Sequence, residues 1–307
     1  MAFKSSKLLT LAAFGWLLSA QASGAALAER PLDPVKADPP RDKAHPMRNE
    51  AVWIASHGVS MNGVMFVAAG VEPHATVLLI HGLPGNEQNL DLAQALRRAN
   101  FNVLTFHFRG SWGSPGKFSL AGGVEDSEAA FEFLEDPANV AKFHIDVKSL
   151  IVMGHSYGGF TATRVAAANP TIAGLVLIAP WDPSETAAQF KVPANELPAV
   201  AHQVFDDVEG RLGGVRDIDL ATELSAPGFD WHLASHAAGF KNLPLLIVTA
   251  SEDSKDDQAA PLMAALNKAG ASKVTSLRMT TDHPFSDHRI ALQETVARWL
   301  GDKLGGS

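Results

Sequence analysis

The stretch IVMGHSYGGF, residues 151–160, runs three apolar positions into Gly-His-Ser-Tyr-Gly-Gly before helical periodicity resumes. Glycine weakens the interior of both strands and helices, so a junction this rich in it has a steric reason for it. Gly154-His155-Ser156-Tyr157-Gly158 has the spacing G-x-S-x-G. Between a strand and a helix, that spacing builds a sharp turn that thrusts the serine hydroxyl out at the top of a sheet. The Tyr157 N–H then opens a helix, where partial positive charge favours an oxyanion.

Working outward, the flanks supply that context. SLIVMG reads as a strand, and GGFTATRVAAANP as a helix stopped by Asn169-Pro170. Upstream, AVWIAS and GVMFVAAG read as two strands joined by a turn at Met61-Asn62-Gly63. TVLLIHG, FNVLTFHF, IAGLVLIAP, LPLLIVTAS and KVTSLRM read as further strands. LDLAQALRRAN, GGVEDSEAAFEFLED, DQAAPLMAALNKAG and HRIALQETVARWLGDKL read as helices between and after them. Continuous apolar strands alternating with helices predict an α/β fold: a mostly parallel central sheet of about eight strands, helices on both faces, an antiparallel pair at one edge. Residues 181–242 break the rhythm and are too many for a plain connection. They predict a small cap insertion over the carboxyl ends of the strands, where open α/β sheets bind ligands.

A serine hydroxyl needs a base, and the base needs an orienting carboxylate. In this fold both follow the serine in the order acid, then histidine. After LLIVTA comes Ser251-Glu252-Asp253-Ser254-Lys255-Asp256-Asp257, and after KVTSLRM comes Thr280-Thr281-Asp282-His283-Pro284-Phe285-Ser286-Asp287-His288. Asp253 lies nearest its strand end, with Asp256 second in line because Asp256 and Asp257 have the look of helix caps. His283 lies near its strand end, whereas His288 falls at the helix start, and Asp282 has a turn role. A second oxyanion donor belongs on His81-Gly82-Leu83-Pro84-Gly85-Asn86, where Gly82 allows a turn tight enough to aim the Leu83 N–H at Ser156.

At these residues the chain resembles the α/β-hydrolase superfamily, through HGLPGN, GHSYGG, TASED and DHPFSDH in that order. FHFRGSWGSPGKFS and the His-x-Phe form of residues 283–285 resemble its prolyl-oligopeptidase-like and dienelactone-hydrolase-like branch. The resemblance implies a Ser156–Asp253–His283 triad, Leu83 and Tyr157 as oxyanion donors, and no cofactor. The single-glycine HGLPG differs from the triple-glycine motif of some lipases and esterases, and no large propeller domain is present.

Other side chains have smaller expected parts. His81 braces its own loop; His155 packs beside the serine or bonds solvent in preference to lining the site; Arg109, following His107, holds its loop through carbonyls in preference to binding substrate. Trp112, Trp181, Phe190 and Trp231 either wall an apolar pocket or pack the cap. The twelve histidines show neither clustered metal-ligand spacing nor a helical H-E-x-x-H, so no catalytic metal is expected.

Composition sets the remaining bounds. The 307 residues suffice for one large domain, and a net charge of -8 without any basic run argues against nucleic acid as a partner. Lys4 and Lys7, the apolar run LLTLAAFGWLLSA and the Ala-x-Ala exits at Ala20 and Ala26 predict a signal peptide over residues 1–28. The run is short for a bilayer span of about 20 residues, so no membrane span is expected in the mature protein. Loss of Lys4 and Lys7 takes the charge from -8 to -10. A periplasmic or secreted location follows, and the absence of cysteine means the core carries stability without disulfides. Residues 29–50, with five prolines, predict a linker, and residues 51–307 the hydrolase domain.

The function expected is that of an exported serine hydrolase acting on small-molecule carboxylic esters through an acyl-enzyme. A peptidase of prolyl-oligopeptidase-like type is the alternative, with Glu185, Glu196, Asp206, Asp207 and Glu209 available to anchor a peptide amine. A non-catalytic binding protein on the same scaffold is the third. Nothing in the sequence signals an oligomeric state.

Overall fold

The computed structural model describes residues 33–304 apart from Glu209 and Lys255. The predicted signal peptide lies outside the described residues. Strands β1 (Arg48–Ser56) and β2 (Val59–Val67) form the edge hairpin. Its turn is at His57-Gly58, both at positive φ (44° and 83°), not at Met61-Asn62-Gly63 as the sequence suggested. Two consecutive positive-φ residues make the tight turn whose twist matches a hairpin. Gly63 serves another purpose: a Cβ there would lie 2.7 Å from the Thr105 carbonyl oxygen on the neighbouring strand.

The chain continues through β3 (His74–Ile80), α1 (Leu90–Arg98), β4 (Asn102–Phe106), α2 (Leu120–Glu135) and α3 (Pro137–Phe143). Asp136 caps α3 by accepting the Ala138 and Asn139 N–H groups, with Pro137 at the first turn. Then follow β5 (Ile145–His155), α4 (Tyr157–Ala168) and β6 (Gly174–Ile178). The insertion carries α5 (Pro183–Gln189), α6 (Leu197–Phe205), α7 (Asp217–Ser225) and a 3-10 stretch, Leu233–Phe240. The chain closes with β7 (Leu245–Ala250), a 3-10 turn (Asp256–Ala259), α8 (Ala260–Lys268), β8 (Val274–Met279) and α9 (Arg289–Leu304).

The eight strands are ordered β1-β2-β4-β3-β5-β6-β7-β8. Only the β1–β2 and β2–β4 pairs are antiparallel. The parallel strands put alternate residues into two cores. Leu78, Ile80, Val152, Leu175 and Leu177 share one core with Phe131 and Leu134 of α2 and Phe160 and Val165 of α4. Val77, Leu79, Ile151, Met153 and Val176 share the other with Leu92 and Leu96 of α1 and Leu292 and Val296 of α9. Strand β8 departs from the apolar expectation, because its free edge leaves Thr275 through Arg278 exposed.

Part of the expected linker belongs to the domain. Arg48 to Glu50 pair within β1. Ahead of them the chain lies along the body, with the Pro34 carbonyl accepting Arg98 Nε at 2.5 Å, Lys36 pairing with Glu294, and the His45 carbonyl accepting the Gly70 N–H. Among the described residues, no helix is long and apolar enough to cross a membrane.

The elbow glycines give a direct test. A Cβ on Gly158 would overlap the Ile80 carbonyl, whereas one on Gly239 would meet open space. Chemical denaturation of Gly158→Ala is expected to show a loss of about 3 kcal/mol. Gly239→Ala is expected to stay within about 0.5 kcal/mol of wild type.

Candidate active site

Strand β5 ends at His155 and α4 begins at Tyr157, so Ser156 alone makes the junction. Its backbone sits at φ 57°, ψ -121°, a region that side chains rarely adopt. The strain is held by main-chain bonds: the Ser156 N–H to the Ile178 carbonyl, and the Ser156 carbonyl accepting from Gly159, Phe160 and Trp181. Gly154 and Gly158 meet each other so closely that a Cβ on Gly154 would overlap the Gly158 carbonyl. The HGLPG loop crosses just above, where a Cβ on Gly82 would lie 2.8 Å from the Ser156 Cβ. Leu83, Ser156 and Tyr157 consequently line one cleft.

Nδ1 of His283 lies 2.5 Å from Oδ2 of Asp253. Asp253 is 4% exposed and His283 28%. A carboxylate only accepts, so Nδ1 carries the hydrogen, which in the neutral ring leaves Nε2 its lone pair, the tautomer a general base requires. Of the two acids read from the sequence, the structure pairs Asp253 with His283. The backbone of Asp256 instead starts the 3-10 turn. Asp282 has the expected turn role, accepting the Ser286 N–H at 2.7 Å.

His155 has a part that the sequence did not reveal. It is buried, and its Nε2 lies 3.0 Å from the main-chain carbonyl of His283. A carbonyl cannot donate, so His155 Nε2 carries the hydrogen. Nδ1 is then a buried nitrogen without a hydrogen-bond partner. The two rings lie 4.8 Å apart. Burial first, and the charge of His283 second, lower the His155 pKa to about 3. His155 is therefore a neutral tie between the serine turn and the histidine loop.

The loops are held from behind. Arg289 of α9 bonds Asp91 through Nε and Nη2, Asn89 through Nη2, and the Pro284 carbonyl through Nη1, clamping the residue that follows His283. Arg109 holds its loop as expected through the Gly122 carbonyl, and also through buried Asp126 at 2.5 Å. That loop presents Trp112, whose Nε1 donates to the Pro84 carbonyl at 2.6 Å and so steadies HGLPG. His81 braces the same loop through Nδ1 and the Gly82 carbonyl at 2.7 Å. Burial lowers its pKa to about 4.

The cleft at Ser156 has a volume of about 290 Å³ and is roofed by the insertion. Trp181, Phe205 and Val208 supply apolar wall, while Gln203, Asp207, Ser254 and Gln258 supply polar wall. Trp181 thus lines the cleft; Phe190 and Trp231 pack into the core beneath the cap. Of the acids considered for a peptide anchor, Asp207 lines the cleft, and Glu209 is outside the described residues. Among the described residues, no cluster of three or more His, Asp or Glu could hold a metal ion.

A sequence profile described as "alpha/beta hydrolase fold" matches residues 75–268, more than half of the chain. The chain belongs to the α/β-hydrolase fold family. Within curated sequences this α/β hydrolase is 31% identical over 142 residues to an uncharacterized protein of Mycobacterium tuberculosis, covering 44% of this chain and 47% of that protein. It is 32% identical over 131 residues to the uncharacterized protein YfhR of Escherichia coli, covering 39% and 43%. The chain thus spans about half the length of the curated relatives it matches. Among solved structures it is similar to a Pyrobaculum calidifontis esterase (TM-score 0.62, 17% identity, 84% and 87% covered). It is also similar to a Pyrococcus furiosus esterase (TM-score 0.62, 18% identity, 88% and 98% covered). At these identities the likeness is one of fold.

The two buried rings predict a pH dependence of stability. His81 and His155 stay neutral when folded, while an unfolded chain takes up protons near the ordinary value of 6.5. Their contribution is complete above pH 6.5 and is lost as pH falls toward about 4 for His81 and about 3 for His155. The loss is on the order of a few kcal/mol per ring. Melting temperatures should fall from pH 7 to pH 4.5, and less steeply in the double variant His81→Gln, His155→Gln.

Proposed function

We propose that this α/β hydrolase is an exported serine hydrolase that cleaves carboxylic esters of modest size. The observation that carries the reading is the 2.5 Å Asp253–His283 bond, tied by His155 to the strained turn that presents Ser156. In this reading His283 Nε2 takes the Ser156 proton as Oγ attacks the ester carbonyl. The Leu83 and Tyr157 N–H groups receive the oxyanion, and Asp253 stabilises the imidazolium. His283 then returns its proton to the departing alkoxide, and water, activated by the same ring, releases the acid. The cleft of about 290 Å³ favours a small acyl group. Export rests on the basic start, apolar run and small-residue exit within residues 1–28.

The test is steady-state hydrolysis of p-nitrophenyl esters of graded chain length. Ser156→Ala is expected to lower kcat on the order of 10⁴-fold or more, and Asp253→Asn on the order of 10⁴-fold. Asp256→Asn should retain most of the activity. Equal losses in both aspartate variants, or ester turnover that survives Ser156→Ala, would contradict the assignment.

A further inference from the structure

One wall of the cleft is built to read chemistry rather than length. Gln258 lies on the 3-10 turn just after Asp253 and lines the cleft together with Ser156. Its Oε1 accepts the main-chain N–H of Asp182 at 3.1 Å. That donor can be met only by an acceptor, so the orientation of the carboxamide is fixed. Asp182 is itself rigid. It is 2% exposed, and its carboxylate accepts from the Ser184 N–H and Oγ–H and from the Leu233 N–H. With its oxygen turned to the Asp182 N–H, Gln258 has its N–H₂ as the donor it offers a ligand. An all-carbon chain lying against it would strip those donors of water and return nothing.

The side of the reaction follows from proton traffic. The departing alkoxide takes its proton from His283, so it leaves on the His283 side of Ser156. The cleft that contains Ser156 and Gln258 lies under the cap helices and is not lined by His283, so in this reading it takes the acyl group. Asp207 on the same cleft places a carboxylate there, which disfavours an anionic acyl group. The acceptor that Gln258 reads must therefore be neutral.

We propose that the cleft selects acyl groups bearing a neutral carbonyl oxygen a few atoms from the scissile ester, read by the Gln258 carboxamide N–H₂, over all-carbon acyl groups of the same shape. Ketone- and amide-bearing acids are the substrate class. The proposal rests on the esterase reading for its catalytic expression, and recognition itself is testable without catalysis.

Two p-nitrophenyl esters differ only at the relevant atom: the 4-oxopentanoate and the 4-methylpentanoate. After each is normalised to its hydroxide-catalysed rate, wild type should prefer the 4-oxo ester by about tenfold in kcat/KM. In Gln258→Glu an oxygen remains for the Asp182 N–H while the donors are gone, and the preference should fall to about one. Melting temperature checks that the variant is folded. In parallel, binding of the two methyl esters to Ser156→Ala is measured by NMR titration, where the same preference is expected. Turnover without preference, or a preference that survives Gln258→Glu, overturns the proposal. Selective binding by Ser156→Ala with no turnover by wild type would sustain the proposal and sink the esterase reading. Neither turnover nor selective binding would sink both.

Discussion

One residue in a forbidding backbone conformation governs the rest of this molecule. Ser156 at φ 57°, ψ -121° carries a cost on the order of 1 to 3 kcal/mol. That cost is sustained because the surroundings leave no alternative. The strand and helix it joins are buried in two cores, and its main chain is bonded to β6 and to the start of the cap. Glycine at 154 and 158 is a consequence, since main chain passes where side chains would be. Glycine at 82 follows for the same reason, one loop away.

Further unusual backbone collects at the same end of the sheet. Trp112, Ala179 and Phe285 also have positive φ, each on a loop following a different strand. Their conformations are secured by charge and hydrogen bonding rather than by apolar packing alone. Arg109 with Asp126 joins a loop to α2, and Arg289, which also holds the Pro284 carbonyl, joins α9 to Asp91 of α1. Arg109 and Asp126 are 16% and 1% exposed, so that pair is less screened than a surface ion pair, whereas Asp91 beside Arg289 is 40% exposed. A pair as enclosed as Arg109–Asp126 is costly to break and well suited to fixing position. The result is a rigid rim on which small groups can be aimed to within the tolerance that chemistry needs.

The fold was legible because its central strands are buried on both faces. β3, β5, β6 and β7 read as unbroken apolar runs, which few other arrangements require. The hairpin turn was misplaced because Asn62-Gly63 imitates a turn, whereas Gly63 is there for the close passage of β4. The short helix α3 was missed although Asp136-Pro137 announces it. Asp253 and His283 were legible from loop order in the chain. The tie from His155 to His283 was not, because 128 residues separate them and no local pattern encodes the contact. Gln258 was invisible for a similar reason: its orientation depends on a backbone N–H at the far side of the cap insertion.

On the proposed reading, Ser156 is an activated nucleophile. The most direct measurement is covalent labelling with a fluorophosphonate, followed by mass mapping of the modified peptide. An activated Ser156 gives a single stoichiometric adduct on that residue, formed far more slowly in His283→Ala than in wild type. No adduct on a folded protein, an adduct on another residue, or labelling indifferent to His283 would contradict it.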